Sequence, residues 1–191
     1  MVAIDAGPQP GLIRLHYLWY CAAAFAVMAA AIVSADLWFL NFVHVIAGIM
    51  WTGIDLFMGF ILGPILSQIE LPARRAVILR LTPKTLFLMP TLSIITGTSG
   101  WFLAGRVGYL GLPWPQFGWV AATLVLITLM TIQGLGYLLP TNLRVCFELQ
   151  KAAPDFQKIG RLMSRYFLVV ATQGAMQILM VVIMARFVAG I

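Results

Sequence analysis

The sequence predicts an all-α integral membrane protein, a bundle of about five transmembrane helices that forms a single domain over residues 1–191. Two observations support this class. First, 62% of the residues are hydrophobic and only 9% are charged, whereas a soluble domain carries about 25% charged residues. Second, the apolar residues are concentrated in runs of about 20, the length that crosses a hydrocarbon core. A mean hydropathy of +0.98 leaves more apolar surface than a soluble fold can hide, so we expect a lipid bilayer around the chain.

The apolar runs define the predicted helices in chain order. They cover residues 15–33, 37–66, 85–104, 117–139 and 166–188. Only Ser34-Ala35-Asp36 separates the first two helices, so we expect them to form an antiparallel hairpin. Gly63-Pro64 is expected to bend or end the second helix, and Pro140 to close the fourth, because proline cannot continue the backbone hydrogen-bond pattern. Residues 141–165 are partly amphipathic and are interpreted as a cytoplasmic extension of the fourth helix followed by a short surface helix. Residues 105–115 form a predicted loop that is rich in turn residues.

The basic residues predict how the bundle is oriented. Ten of the twelve lie on one side if five helices alternate: Arg14, four within residues 67–84 and five within residues 141–165. Only Arg106 and Arg186 fall on the opposite side. Because basic loops stay in the cytoplasm, the N-terminus is predicted inside and the C-terminus outside. Four or six helices would return the C-terminus to the inside, but five fits the charge distribution better. The net charge of +6 is explained in this way, and no nucleic-acid partner is expected.

Polar, small and aromatic residues share one face of the second predicted helix. At 3.6 residues per turn, this face contains Asn41, His44, Gly48, Trp51 and Asp55. His44 and Asp55 are about 16 Å apart along the axis, so they cannot touch. Ionisable groups are costly in a membrane and usually face protein or water, which makes both candidates for function. The alternative is structural: His44 donates to a carbonyl group on the next helix, and Asp55 is protonated or paired with an arginine.

Other predicted helices carry polar groups that would also need partners within lipid. Gln173 and Gln177 lie one turn apart on the fifth helix, and Tyr166 precedes Gln173 by seven residues. The third and fourth helices contribute threonines, serines and Gln133. These groups indicate a polar interior, which is either a binding site or a set of hydrogen bonds between helices.

A haem is one ligand that suits the polar face of the second helix. A histidine can bind its iron, and a glycine one turn later can make room for the ring edge, as His44 and Gly48 would. Gly48 can equally allow a neighbouring helix to approach closely. The other histidine, His16, is predicted near the opposite membrane surface, so a second axial ligand for the same haem would have to be another group. The sequence contains no HExxH, Walker A or GxGxxG motif and no cysteine cluster.

The segment from His44 to Gly53 resembles a helix shared by several bacterial membrane families. These include the HemJ-type protoporphyrinogen oxidases and the N-terminal membrane domain of certain bacterial urate oxidases. The order of a basic pair, Arg74-Arg75, then Thr82-Pro83-Lys84 and then Gly97 is also similar to the HemJ type. The resemblance covers residues 40–100, whereas the first helix and the C-terminal half differ from it.

The resemblance implies a haem b whose iron, the metal of the site, is bound by His44, with Gly48 and Trp51 beside the cofactor. It also implies that Lys84 assists a reaction of a porphyrin or a quinone. Asp55, which stands in place of an apolar residue of the family, is the second catalytic candidate because of its cost in lipid. The resemblance places the chain in the bacterial inner (cytoplasmic) membrane as a multi-pass protein.

Three hypotheses about function follow. The first is a haem b-associated redox protein that oxidises a porphyrinogen and passes electrons to quinone. The second is a non-catalytic structural or assembly subunit of a respiratory or photosynthetic electron-transfer complex. The third is a proton or small-solute pathway that uses Asp55. We further expect the chain to form a homo-oligomer or to belong to a larger membrane complex.

Overall fold

The structure is a computed structural model that describes residues 16–151 and 153–190. Within these ranges the chain is helical and contains no strand, which confirms the predicted all-α class. The helices are α1 (Tyr17–Val33), α2 (Leu37–Leu56), α3 (Gly63–Gln68), α4 (Leu71–Val107), α5 (Phe117–Gln133), α6 (Leu139–Leu149) and α7 (Phe156–Val188). The predicted first residue of the bundle, Leu15, and the basic residue Arg14 lie outside the described ranges.

Four continuous helical segments of the described chain are long and apolar enough to cross a membrane. They are Leu37–Gln68, Pro72–Val107, Phe117–Leu149 and Phe156–Val188. The α1 helix is apolar too, and its 17 residues are at the lower limit of about 17–25 for a span. The helices are therefore those of a multi-pass membrane protein.

Three predicted helix boundaries are wrong because helix continues through the basic connectors. The α4 helix begins at Leu71 and not at 85, and α7 begins at Phe156 and not at 166. The fourth predicted helix does not close at Pro140 but continues to Leu149, which agrees with the expected extension into the connector. Hydrophobicity marks only the part of a helix inside lipid, whereas lysine and arginine are good helix formers that extend the helix into water.

The two prolines expected to end helices follow π-helical turns instead. One turn, Phe57–Leu62, joins α2 to α3 ahead of Pro64, and the other, Gly134–Leu138, joins α5 to α6 ahead of Pro140. Proline clashes with a carbonyl one α-helical turn earlier, and the wider π turn relieves this clash by absorbing an extra residue. The helices therefore pass both prolines without ending.

Contacts between helix ends place the two basic connectors, residues 67–84 and 141–165, at the same end of the bundle. At one end, Arg74 donates to the Gly160 carbonyl oxygen at 3.3 Å, and the Arg75 guanidinium stacks on Phe156. At the other end, the Tyr109 hydroxyl donates to the Phe187 carbonyl oxygen at 3.3 Å. Arg106 there donates to the Ile32 carbonyl oxygen. This grouping agrees with the charge distribution used above, and the cytoplasmic side of the basic end stays a prediction.

The packing leaves a gap between two helices that are consecutive in the chain. The α2 helix packs against α1, α4 and α7, and α7 packs against α2, α5 and α6. Direct packing between α4 and α5 is sparse. They meet through the short turn Tyr109–Gly111 at one end and through α6 at the other. The space enclosed between these two junctions forms the cavity described next.

Candidate functional site

The Asp55 carboxyl group lies inside the bundle between α2 and α7. Only 2% of the residue is exposed. Its Oδ2 atom accepts hydrogen bonds from Gln173 Nε2 at 3.1 Å and from Gln177 Nε2 at 3.0 Å. The two glutamines are one helical turn apart, so both amides reach the same carboxyl oxygen. The carboxyl group is therefore held by neutral amides and not by an arginine.

A glycine in the first π turn allows α7 to come this close. A Cβ atom built on Gly59 would lie 2.6 Å from Ala171 Cα, a distance that a real side chain cannot adopt. The backbones of the π turn and of α7 are thus in direct contact one turn away from Asp55. This contact places the two glutamine side chains within hydrogen-bonding distance of the carboxyl group.

A cavity of about 450 Å³ lies beside Asp55 in the gap between α4 and α5. Its lining residues on α4 run from Thr85 to Trp101, which is about 24 Å of helix. The cavity is therefore elongated along the helices and covers most of a hydrocarbon core of about 30 Å. Its polar lining residues come from five helical elements and are Asp55, Thr85, Ser93, Thr98, Thr131, Asn142, Tyr166 and Gln173.

A second polar cluster lines the cavity towards the basic end. Asn142 Nδ2 donates to the Tyr166 hydroxyl oxygen at 3.3 Å and to Thr85 Oγ1 at 3.4 Å. Tyr166 precedes Gln173 by about 10 Å along α7. The cavity thus has two levels of polar groups, one at Asn142 and Tyr166 and one at Asp55 and Gln173.

Amide oxygens at both levels are buried without a hydrogen-bond partner in the described chain. They are Asn142 Oδ1, Gln173 Oε1 and Gln177 Oε1. Leaving a buried acceptor unpaired costs about 1–3 kcal/mol. Asn142 and Gln173 belong to the cavity lining, but through other atoms, because these amide oxygens have almost no accessible surface.

His44 lies in a different environment, in the contact between α2 and α4. Its Nδ1 atom is 3.0 Å from the Thr96 carbonyl oxygen, and a carbonyl only accepts, so Nδ1 carries the proton and donates. The ring packs against Gly100, where a Cβ atom would lie 2.7 Å from His44 Cε1. This is the bond that the structural interpretation of His44 predicts. It leaves Nε2 as the nitrogen with a free lone pair.

The space beside Gly48 is filled by α4 and not by a cavity. A Cβ atom on Gly48 would lie 3.5 Å from Thr96 Cγ2, which is ordinary van der Waals contact. In the described packing, Gly48 allows the close approach of α4, which is the alternative interpretation of this glycine given above. In the described ranges, no group of three or more histidine, cysteine or acidic side chains is placed to hold a metal ion.

The structure brings only two of the predicted site residues together. Asp55 and Trp51, which is 4% exposed, both line the cavity. His44 and Gly48 are not among its lining residues, and Lys84 is exposed on the lipid or water side of α4. Lys84 therefore lies outside the cavity, although its neighbour Thr85 lines it.

Sequence reasoning missed Asn142 as a site residue. It was assigned to a basic connector because Pro140 was expected to end the preceding helix. The available signal was its position between apolar residues at helical spacing, with Leu138, Val145 and Leu149 buried around it. Gln173 and Gln177 were recognised as a buried pair, but their partner was not.

Comparisons of the chain with family models, with curated proteins and with solved structures found no match.

Proposed function

We propose that this chain binds a small lipid-soluble molecule in the cavity between α4 and α5, with Asp55 holding the polar end of the molecule. This is the small-solute hypothesis in a specific form. The observation that carries it is a single arrangement: a carboxyl group held by two glutamine amides at the wall of an elongated cavity of about 450 Å³.

The energetic cost of Asp55 supports a role in binding. A carboxyl group within a membrane protein is expensive, and such residues usually pair with each other or face a pathway. Among the described cavity-lining residues there is no lysine, arginine or histidine that could neutralise it. A residue needed only for packing could be replaced by an apolar side chain at lower cost, so a ligand is the better reason for an acid here.

The position of the cavity supports entry from the hydrocarbon layer. The two helices that border it, α4 and α5, are both membrane-spanning, and their direct packing is sparse between the junctions at their ends. Trp101 and Ile94 at the cavity wall also have surface exposed to the surroundings of the bundle. A lipid-soluble molecule can therefore reach the cavity sideways, without crossing an aqueous surface.

Dicyclohexylcarbodiimide tests access to Asp55, because this apolar reagent modifies carboxylic acids that are reachable from lipid. Because carbodiimides react with the protonated acid, the labelling is done at acidic pH. We expect the reagent to modify Asp55 in the protein reconstituted in phospholipid vesicles, with peptide mass spectrometry as the readout. The Asp55→Asn variant should lose the modified peptide, whereas Asp36→Asn should retain it, since Asp36 caps α2 outside the apolar segment. An unmodified Asp55 under conditions that label other membrane carboxyl groups would overturn the proposal.

Haem b binding at His44, with redox activity towards quinone, is a second candidate. One observation favours it: the bond from Nδ1 to the Thr96 carbonyl oxygen presents Nε2 as a potential ligand, and such a bond orients many metal-binding histidines. The cofactor would supply the electron-transfer chemistry and the protein would orient the imidazole. A reduced-minus-oxidised spectrum with a haem signal that is lost in His44→Ala but kept in His16→Ala would support it. A colourless protein from haem-replete cells would remove it.

The bacterial cytoplasmic membrane is the proposed location, and a homo-oligomer or a larger electron-transfer complex the proposed assembly. Both rest on the sequence resemblance and on the apolar surface of the bundle. The basic residues at one end suit the cytoplasmic surface of such a membrane.

A further inference from the structure

We infer that the molecule bound in the cavity is an amphiphilic ammonium compound, a lipophilic cation whose N–H groups meet Asp55. This inference rests on the proposed function, since it names the chemical class of the ligand for the same cavity. It excludes ligands whose polar end consists only of acceptors, such as an oxidised quinone.

The charge of the lining is the first argument. The described lining residues include one carboxyl group and no basic side chain. Asp55 accepts two N–H bonds on one oxygen, an arrangement that suits an anionic carboxylate. The glutamine amides are neutral, so they hold the carboxylate without balancing its charge. A cation in the cavity would balance it inside a medium where an unpaired charge is costly.

The balance of donors and acceptors is the second argument. With both glutamine N–H groups directed at Asp55, the oxygens Gln173 Oε1 and Gln177 Oε1 have no partner. Turning either amide round would place its oxygen against an ionised Asp55, so the described orientation suits the carboxylate form. The acceptor that a ligand in the cavity can reach is Asp55, and an ammonium group supplies up to three donors to it.

The remaining lining suits the rest of such a molecule. Trp51 lies one turn from Asp55 on α2, so its indole can attract a cation bound there. Beyond this level the lining includes Met89, Ile94, Met130 and Trp101. An apolar chain attached to the ammonium group would run along these side chains within the length of about 24 Å.

Quenching of tryptophan fluorescence by bromine compares the possible ligands directly. We would titrate the protein in nanodiscs with ω-bromodecylammonium, with its trimethylammonium counterpart and with ω-bromodecanol. The first is a cation with N–H donors, the second a cation without donors and the third a neutral donor. Bromine on the chain quenches tryptophans that it contacts, and the Trp101→Phe variant identifies the Trp101 signal. Because Trp101 also has surface exposed to lipid, the part of this signal that Asp55→Asn removes identifies binding in the cavity.

We expect the midpoint of Trp101 quenching to fall at a concentration about tenfold lower for the primary ammonium than for the alcohol, because hydrogen bonds between charged groups are the stronger ones. The trimethylammonium compound should lie between them. Asp55→Asn should abolish the difference, whereas Asp36→Asn should keep it. Equal midpoints for all three probes, or a lower midpoint for the alcohol, would overturn the inference.

The two proposals fail in distinguishable ways. If carbodiimide modifies Asp55 but the ammonium probe has no preference, the cavity binds a ligand of another class. If carbodiimide does not reach Asp55 and no probe gives quenching of Trp101 that depends on Asp55, the cavity is not a binding site, and both proposals are wrong.

Discussion

His44 and Asp55 lie on one face of one helix, yet the fold places them in different kinds of environment. His44 is enclosed in the contact between α2 and α4, where its ring packs on Gly100 and its Nδ1 atom donates to Thr96. Asp55 is bound by two amides at the wall of a cavity. Helical periodicity therefore identifies the residues that turn away from lipid, but it does not separate those that meet a neighbour from those that meet open space.

Small residues explain the difference between the two regions. Gly48 on α2 and Gly100 on α4 allow these helices to approach closely beside His44. Around Asp55, the close approach is made with α7, through Gly59 and Gly174. The α4 helix has larger residues there, including Leu86, Met89 and Pro90, and it leaves a gap towards α5. Close packing at glycines therefore fills the space beside His44. Beside Asp55, the glycines bring α7 close to α2, and a gap remains on the side of α4 and α5.

The largest expected effect comes from breaking the contact that holds the Asp55 region together. Gly59→Leu would force a side chain into the backbone at Ala171, where even a Cβ atom would lie at 2.6 Å. We expect the free energy of unfolding to fall by about 3 kcal/mol or more, and the glutamine amides to separate from Asp55. Thermal unfolding in detergent measures it. Gly53→Leu is the matched control, because nothing lies within 4 Å of its Cβ position; equal losses would contradict the close approach.

Altering the two regions one at a time is the next test. His44→Ala removes a hydrogen bond and a packed ring, so we expect a loss of stability of about 1–3 kcal/mol with probe binding in the cavity retained. Asp55→Asn keeps an oxygen that can accept both glutamine bonds, so stability should change less while the preference for the ammonium probe is lost. Unfolding and quenching are measured on both variants. A loss of the ammonium preference in His44→Ala would show that the regions are not separate.

A variant that combines His44→Ala with Asp55→Asn tests whether the two regions are independent. The two residues are about 16 Å apart and share no described partner, so their effects on the free energy of unfolding should add within about 0.5 kcal/mol. A larger deviation would indicate that α4 transmits a change from one region to the other.

A smaller effect is expected where α4 packs on His44. Gly100→Ala would bring a methyl group to 2.7 Å from His44 Cε1, but a side chain can shift more easily than a backbone. We expect a loss of about 1 kcal/mol as the bond between Nδ1 and Thr96 lengthens. Gly97→Ala on the same helix is the control, since its Cβ position is free of contacts within 4 Å. A Gly100→Ala variant as stable as Gly97→Ala would argue against the described ring position.

The smallest effect is expected from Lys84. Its side chain is exposed and does not line the cavity, so Lys84→Gln should change stability by no more than about 0.5 kcal/mol and leave probe binding unchanged. Unfolding and quenching of the same preparation measure both. A clear loss of ammonium binding would restore Lys84 as a member of the site.

Part of the candidate site was predictable because burial of polar groups in lipid is expensive. The amphipathic face of the second predicted helix identified Asp55 and Trp51, and the glutamine pair on the last helix was recognised as needing partners. The link between Asp55 and Gln177 was not predictable, because the two residues are 122 positions apart and their meeting depends on a glycine contact between other residues. Asn142 was missed because the π turn ahead of Pro140 is a feature of the folded backbone.

The amino-acid sequence by itself determined that this chain is a multi-pass helical membrane protein and which helix faces avoid lipid. Both follow from the transfer of side chains between water, lipid and protein, which depends on composition and on helical periodicity alone. The tertiary structure decided which polar residues meet, where the helices separate and which face borders a cavity. Those outcomes depend on how closely two helix backbones approach each other. The distance between two helices depends on the side chains of both, so the sequence of one helix alone does not determine it.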